Sequence, residues 1–233
     1  MEFKQVLSYF LTGAALLSVT TTALAAEHPV DVQTGAWYQP AVEYVLENNL
    51  MDITQEDTFT PDNAVTRQAV ADAIYRDAQR QGLEPDISVG KGMMQLHDYA
   101  QLEESYLPGL AYCFNAGILT GDNKGYLHAT ETITREEFAA VLARYDQILL
   151  NRAAAETTGR PVNVTEFANW YEAEAEMRAF TDYNTISAWA RESVTACLAD
   201  NLLHGNADGT FAPQAQVTRA ELAQILYHFS RKA

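Results

Sequence analysis

Basic residues are scarce in this chain of 233 residues, which has 15 lysines and arginines against 31 aspartates and glutamates. The formal net charge of −16 excludes nucleic acid as a partner, and it also excludes adsorption to anionic lipid. Any anionic ligand must therefore be held at local sites. Prolines (7) and glycines (12) are also few, while 48% of the residues are hydrophobic. This composition predicts a folded protein with one large domain or two or three small ones.

The chain contains two cysteines, Cys113 and Cys197. An exported protein can join such a pair in a disulfide, whereas an unpaired cysteine is usually a small buried apolar residue. The sequence favours two buried thiols and leaves the disulfide open.

Signatures of catalysis are missing as well. The sequence contains no G-x-S-x-G, no H-E-x-x-H and no P-loop. The five histidines show no metal-ligand spacing, and the turns 121–125 and 205–209 lack the oxygen series of a calcium loop. We therefore expect a protein that is not an enzyme and that uses no metal and no cofactor.

The first 25 residues have the form of an export signal. Lys4 precedes an apolar stretch at 6–19, and Ala23-Leu24-Ala25 provides an A-x-A cleavage site. Cleavage after residue 25 would give a secreted protein that has no membrane segment.

The strongest signal in the sequence is an internal repeat. The dipeptide Thr-Arg occurs at 66–67, 134–135 and 218–219, and an apolar pattern of helical spacing follows it each time. A shift of 152 positions places Trp189 on Trp37 and Arg219 on Arg67 without a gap, and a shift of 84 places Cys197 on Cys113. Each unit is interpreted as a helix, a turn, an extended piece and a second helix.

The start of each second helix carries its own capping signal. Thr66, Thr134 and Thr218 are predicted N-caps, and Glu137 and Glu221 complete a capping box in the second and third units. Ala69 interrupts the box in the first unit. In the turn before the third of these helices, Gly205 and Gly209 are expected to permit positive φ.

These elements predict an all-α, mainly helical protein of three helix–loop–helix repeats that pack into one body, because no single unit can cover its own apolar stripes. The predicted segments are a signal peptide at 1–25, repeat 1 at 28–80, repeat 2 at 94–150, an inter-repeat insertion at 151–179 and repeat 3 at 180–233. Within the insertion, residues 167–180 have the pattern of an acidic amphipathic helix.

The third unit, with FTD at 180–182, SAWARESV at 187–194, DGTFAP at 208–213 and VTRAE at 217–221, strongly resembles the S-layer homology domain. The resemblance covers all three units. It implies a pseudo-threefold helical bundle that binds cell-wall polysaccharide, often an anionic, pyruvylated secondary polymer, in grooves between adjacent repeats. The first unit departs from the family pattern at Ile53 and Ala69, and the second at Ala129, so we expect the third unit to provide the best site.

The resemblance implies a set of ligand-contacting residues. An arginine at the first position of a helix is unfavourable for the helix dipole, but together with free N–H donors it could hold a carboxylate or phosphate. The alternative is an arginine that pairs with a neighbouring acid. The two tryptophans could stack on a sugar ring or, as the sequence favours, act as packing anchors between units. The candidate glycan-binding residues are Arg67, Arg135, Arg219, Trp37, Trp189, Gly121 and Gly205.

Two functions follow from these observations. The first is a secreted bacterial protein at the cell wall or S-layer surface that binds a secondary cell-wall polysaccharide or a peptidoglycan-linked glycan, and so anchors itself or a partner. The second is a protein–protein interaction scaffold on the cell surface, with degenerate glycan sites and another surface protein as its partner.

Overall fold

The computed structural model describes residues 29–54, 57–157, 159–163, 165 and 167–231, and the predicted signal peptide lies outside them. Across these ranges the structure is all-α, as the sequence predicts, with eight α-helices and three short 3-10 helices. The α-helices are α1 (Gln39–Glu47), α2 (Arg67–Arg80), α3 (Lys91–Met94), α4 (Leu107–Asn115), α5 (Arg135–Thr157), α6 (Trp170–Ala179), α7 (Arg191–Ala199) and α8 (Arg219–Ser230).

The helices of one repeat pack mainly against those of its neighbours. The three helices that begin at a Thr-Arg dipeptide are α2, α5 and α8, and each packs against the first helix of the following unit: α2 on α4, α5 on α7 and α8 on α1. The third pairing closes the circle and gives the pseudo-threefold bundle. The predicted repeat boundaries stay a prediction, because helix packing joins residues from different repeats.

A closed ring of main-chain hydrogen bonds lies at the centre of this arrangement. Val65 N donates to Val217 O over 2.9 Å, Val217 N donates to Ile133 O over 3.1 Å, and Ile133 N donates to Val65 O over 3.1 Å. All three residues are buried and occupy the same position in their units. Since each unit donates one bond and accepts another, the ring is complete only when all three units are in place.

The first helix of each unit ends in the same way. The residue just beyond it has left-handed backbone geometry, with φ of 53° at Asn49, 70° at Gly117 and 55° at Asn201. Glycine and asparagine are the residues that tolerate this conformation at a helix C-terminus. The shared ending turns the chain at the same point in every unit.

The two cysteines are not joined in a disulfide, so the disulfide alternative is wrong. Both are fully buried, and they contact different neighbours: Cys113 Sγ donates to Ala71 O and Cys197 Sγ to Ala139 O. Burial raises the pKa of the Cys113 thiol far above its ordinary value. The two thiols therefore belong to two equivalent inter-unit contacts.

Residues of the inter-repeat insertion extend one helix and form another. Helix α5 continues to Thr157, and the predicted acidic amphipathic helix is α6, which buries Ala173 and Met177 and packs against α7. Within the described ranges, no helix combines the length and apolar composition that crossing a membrane requires.

The turn glycine Gly205 has a packing role that differs from the one expected. Its φ is not positive, whereas that of Gly209 is +79°. A Cβ built on Gly205 would lie 2.2 Å from Cε1 of Phe180, so the ring occupies the space that a side chain would need. Gly121, the equivalent residue of the second unit, meets Tyr126 O at 3.2 Å and Leu96 Cδ2 at 3.3 Å.

We therefore predict that Gly205→Ala lowers the free energy of unfolding by about 1–3 kcal/mol, because the Phe180 ring must move away from its contact with Phe211. Urea denaturation measures this change. The control is Gly90→Ala, where no atom lies within 4 Å of the added Cβ, and which should change stability by less than about 0.5 kcal/mol. Equal effects of the two substitutions would contradict the packing role.

One polar pair is buried where α2, α5 and α8 meet. Asp77, Tyr145 and Phe229 occupy equivalent positions in these helices and are all buried. The Tyr145 hydroxyl donates to Asp77 Oδ2 over 2.7 Å, and the Tyr145 ring contacts the Phe229 ring edge to face at 5.3 Å. Asp77 Oδ1 has no hydrogen-bond partner among the described residues. Burial raises the pKa of the Asp77 carboxyl, although the bond from Tyr145 partly opposes this effect.

Because the folded state holds the Asp77 proton more tightly than the unfolded state, Asp77 contributes stability at acid pH that is lost as the pH rises through the folded-state pKa. We predict that Asp77→Asn, which still accepts from Tyr145, is more stable than wild type at pH 7, and that the difference shrinks toward about pH 4. Urea denaturation at several pH values measures it. The comparison variant Tyr145→Phe should lose about 1–3 kcal/mol. A less stable Asp77→Asn at pH 7 would show that the carboxylate is well solvated.

Candidate functional site

The three motif arginines reach from one unit into the next. Arg67 Nε donates to Leu127 O over 3.0 Å and its Nη2 donates to Thr120 O over 3.2 Å, while Nη1 lies 3.3 Å from Glu137 Oε1. Each of these acceptors belongs to the second unit. The guanidinium thus holds the turn of the neighbouring unit and pairs with the glutamate of the neighbouring capping box.

The other two junctions repeat this contact with one difference. Arg135 donates to Phe211 O, His204 O and Glu221 Oε1 at 2.9–3.0 Å, in the third unit. Arg219 donates to the equivalent carbonyls of the first unit, Phe59 O and Asp52 O, both over 2.6 Å. Among the described residues it has no glutamate partner, and Ala69 stands at the position of Glu137 and Glu221.

The starts of the Thr-Arg helices are not free to bind an anion, which corrects one sequence-based expectation. The first two N–H groups of each helix already donate to carbonyls of the next unit. The donor–acceptor pairs are Arg67 with Glu131, Gln68 with Ala129, Arg135 with Ala215, Glu136 with Pro213, Arg219 with Asn63 and Ala220 with Pro61. The alternative interpretation, an arginine paired within the protein, fits the contacts of Arg67 and Arg135.

The predicted helix caps are present. Thr218 Oγ1 accepts from Glu221 N and the Glu221 carboxylate accepts from Thr218 N, which is a complete capping box. Thr134 and Glu137 make the same reciprocal pair. At Thr66 only the hydroxyl takes part, accepting from Ala69 N over 3.3 Å. Glu137 and Glu221 therefore serve two purposes, since each caps its own helix and pairs with the arginine of the preceding unit.

Groove A is the surface cleft at the junction of the first and second units, lined by Arg67, the turn residues 119–123, Glu137, Arg144 and Trp189. Its volume is about 500 Å³. Trp189 comes from the third unit, so all three units contribute. Gly121 is one of the turn residues that line this groove.

Groove B is the equivalent cleft at the junction of the second and third units, lined by Arg135, the turn residues 202–204 and 206, Glu221, Gln224 and Trp37. It measures about 220 Å³. Trp37 comes from the first unit, as the cyclic order requires. Gly205 lies between two lining residues, His204 and Asn206.

The tryptophans are not packing anchors, which corrects the interpretation that the sequence favours. Trp37 is 64% exposed and Trp189 is 57% exposed, and both lie at the edge of a groove. A large indole left in water beside a cleft is an accessible apolar surface rather than part of the core.

Groove C is the corresponding region at the junction of the third and first units, defined by Arg219, Asp52 and Ala69. In the second unit, Ser105 stands at the position that Trp37 and Trp189 occupy in the other units. The next residue, Tyr106, is close enough to Arg219 for an electrostatic interaction. Arg219 also lies over the Phe59 ring, 4.6 Å from its centroid. The third junction therefore has the arginine without its glutamate and without an indole.

A buried glutamate positions Trp189. Glu136 is 4% exposed, and its carboxylate accepts from Ser187 N over 2.9 Å, Ser187 Oγ over 2.8 Å and Gln214 Nε2 over 2.7 Å. Ser187 is two residues before the indole. Sequence reasoning missed Glu136, because neither equivalent residue repeats its charge: Gln68 has the same length but is neutral, and Ala220 is both neutral and short.

Three aspartates hold the turns that form the groove walls. Asp31 accepts from Phe59 N and Thr60 N, Asp98 from Leu127 N and His128 N, and Asp182 from Phe211 N and Ala212 N, all within 2.6–3.0 Å. The last residue of each pair has positive φ, at 52–57°. Asp98 and Asp182 align in the repeat, but Asp31 lies one position out of register with them, so the ungapped comparison does not reveal it.

One histidine lies on the wall of groove A. His128 contacts Asp122 Oδ2 through Nε2 at 3.1 Å and Glu131 Oε1 through Nδ1 at 2.8 Å. These bonds raise the pKa of His128. In turn, the backbone amide of Tyr126 and the bond to His128 lower the pKa of Asp122 to about 2. Two acids therefore compensate the charge that His128 carries in its protonated form.

Comparison with known proteins identifies the fold and the repeats. The chain is 26% identical to an endoglucanase of Bacillus sp. (strain KSM-635) over 84% of its length and 18% of the enzyme, and 24% identical to an amylopullulanase of Thermoanaerobacterium thermosulfurigenes over 84% and 9%. It is 26% identical to the surface-layer 125 kDa protein of Lysinibacillus sphaericus, over 57% of this chain and 9% of that protein.

The chain thus spans less than a fifth of the length of these relatives, so the similarity to the two enzymes does not carry their activity over to this chain. The S-layer homology domain matches three regions, residues 30–71, 102–139 and 179–223, which together make up more than half of the chain. These regions coincide with the three units that share the central ring and the arginine contacts. The chain therefore belongs to the S-layer homology domain family, with three tandem repeats.

Proposed function

We propose that this protein is a secreted, cell-surface component of a bacterium that binds an anionic secondary cell-wall polysaccharide non-covalently and so anchors itself or a partner to the envelope. The binding sites would be the inter-repeat grooves, at which Arg67, Arg135 and Arg219 form the junctions. The observation that carries the proposal is the pair of exposed tryptophans, each at the edge of a groove that all three units build.

The geometry of grooves A and B suits a sugar chain. Each combines an exposed indole face, on which a sugar ring can stack, with polar groups of a turn that are held in place by an arginine and an aspartate. Clefts with an apolar surface and a few fixed polar groups are the usual form of small-ligand sites. Volumes of about 220 and 500 Å³ are in keeping with clefts for one or a few sugar units.

The similarity to a surface-layer protein and to glycan-degrading enzymes supports the same function. These relatives are two enzymes and a surface-layer protein, and all three are much longer than this chain. What they share with it is the S-layer homology region. A region common to such different kinds of protein is suited to attachment rather than to catalysis.

We predict that the purified protein co-sediments with Gram-positive cell-wall sacculi, and that treating the sacculi with hydrofluoric acid, which releases the secondary polymer, abolishes binding. Trp189→Ala and Trp37→Ala should each weaken binding about fivefold or more, because an aromatic face that contacts a ligand contributes roughly 1–3 kcal/mol. Bound and free protein are measured by densitometry.

The matched control is Tyr171→Ala, which removes an aromatic side chain that is 81% exposed on α6 and lies outside the grooves. It should bind as wild type does. If folded wild-type protein does not sediment, or if the loss is equal in all three variants, the groove proposal is overturned, and association with another surface protein becomes the better interpretation.

A further inference from the structure

The three grooves differ most at one position of the Thr-Arg helix, nine residues after the motif arginine. This position is Arg76 in α2, Arg144 in α5 and His228 in α8. The same helix face carries a second variable position, which is Asp72, Ala140 and Gln224 in the same order. Ala140 and Arg144 both line groove A, and Gln224 lines groove B.

Arg144 is exposed, and within the part of the chain that the structure describes it makes one hydrogen bond, from Nη1 to the neutral carbonyl of Ile118 over 3.1 Å. No carboxylate among the described residues pairs with it. The equivalent Arg76 lies 2.8 Å from both Asp52 Oδ2 and Asp72 Oδ2, so its charge is neutralised inside the first unit. At the third position, burial lowers the pKa of His228, so this imidazole is neutral at neutral pH.

The motif arginines offer less to a ligand than Arg144 does. Arg67 and Arg135 each donate to two carbonyls and one glutamate, and their guanidinium groups are largely buried. Arg219 lacks the glutamate, but its two short bonds to carbonyls and its position over Phe59 hold it in the junction. At the third junction, the residue equivalent to Ala140 is Asp72, which is ion-paired with Arg76, so this pair offers an anion no uncompensated positive charge.

We propose that groove A is the principal anion-binding groove, and that Arg144 provides the contact to an acidic group, a carboxylate or a phosphate, on the sugar that Trp189 stacks. This inference rests on the proposed function and names the groove and the residue that determine its specificity. Ala140 leaves the space that an anion needs, whereas Gln224 occupies it in the smaller groove B. A planar guanidinium with most of its N–H donors free can bind such a group through two parallel hydrogen bonds.

The test is isothermal titration of the purified protein with the polymer released from cell walls. Arg144→Gln should weaken binding by about tenfold to a hundredfold, because a hydrogen bond to a charged group contributes roughly 1.5–3 kcal/mol. Arg144→Lys, which keeps the charge but loses the bidentate geometry, should restore part of the affinity. The control Arg178→Gln removes an exposed arginine of α6, paired with Glu174 outside the grooves, and should bind as wild type does.

The source of the acidic group is distinguished by the ligand. Carbodiimide amidation of the released polymer neutralises carboxylates and leaves phosphates unchanged. A loss of wild-type binding equal to that of Arg144→Gln identifies a carboxylate, and unchanged binding identifies a phosphate. If wild type binds the polymer and Arg144→Gln binds equally well, the assignment of Arg144 is overturned while the proposed function stands. If wild type does not bind at all, both are overturned.

Discussion

The ring of three main-chain hydrogen bonds between Val65, Ile133 and Val217 is the interaction on which the rest of the structure depends. Each bond has a net value of only about 0.5–1.5 kcal/mol, but the ring sets the distance and angle between all three units. It consists of backbone groups, so side chains around it can vary. In each unit the Thr-Arg helix begins directly after the ring residue. The motif arginine therefore lies at a fixed place beside the next unit.

This geometry explains why an arginine occupies the first turn of a helix. The dipole alone makes a cation there unfavourable by up to ~1 kcal/mol. However, the neighbouring unit has already placed carbonyl oxygens against the helix start, and they accept from its first two N–H groups. The same unit presents two further carbonyls to the guanidinium, and at two junctions also a glutamate. Charge-assisted hydrogen bonds of roughly 1.5–3 kcal/mol each outweigh the dipole term. The arginine is first a structural link, and its position at a groove follows from that.

Most of the fold could be predicted from the sequence because its signals are local. Helical periodicity, the capping pairs of Thr134 and Thr218 and the register of the repeat need no knowledge of the partner. Periodicity shows which face of a helix is apolar, but not which helix covers it, so the packing of α2 on α4 instead of α1 could not be predicted. The exposure of Trp37 and Trp189 depends on that same packing. The sequence predicts a positive φ at Gly205, whereas the structure shows that the residue is small because it packs against Phe180, which lies 25 residues away in sequence.

Comparison between repeats finds what the copies share, and it therefore misses what makes them different. Arg144 is not part of the shared motif, and neither is Ala140, yet together they distinguish groove A from the other two. The scaffold permits such differences because the ring and the arginine contacts hold the units without them. At physiological ionic strength, charges more than about 8 Å apart are largely screened, so the acidic surface does not prevent an anionic chain from approaching. At closer range the acidic surface disfavours contact with an anionic chain almost everywhere. A guanidinium such as that of Arg144, which has no acidic partner among the described residues, therefore provides a selective contact.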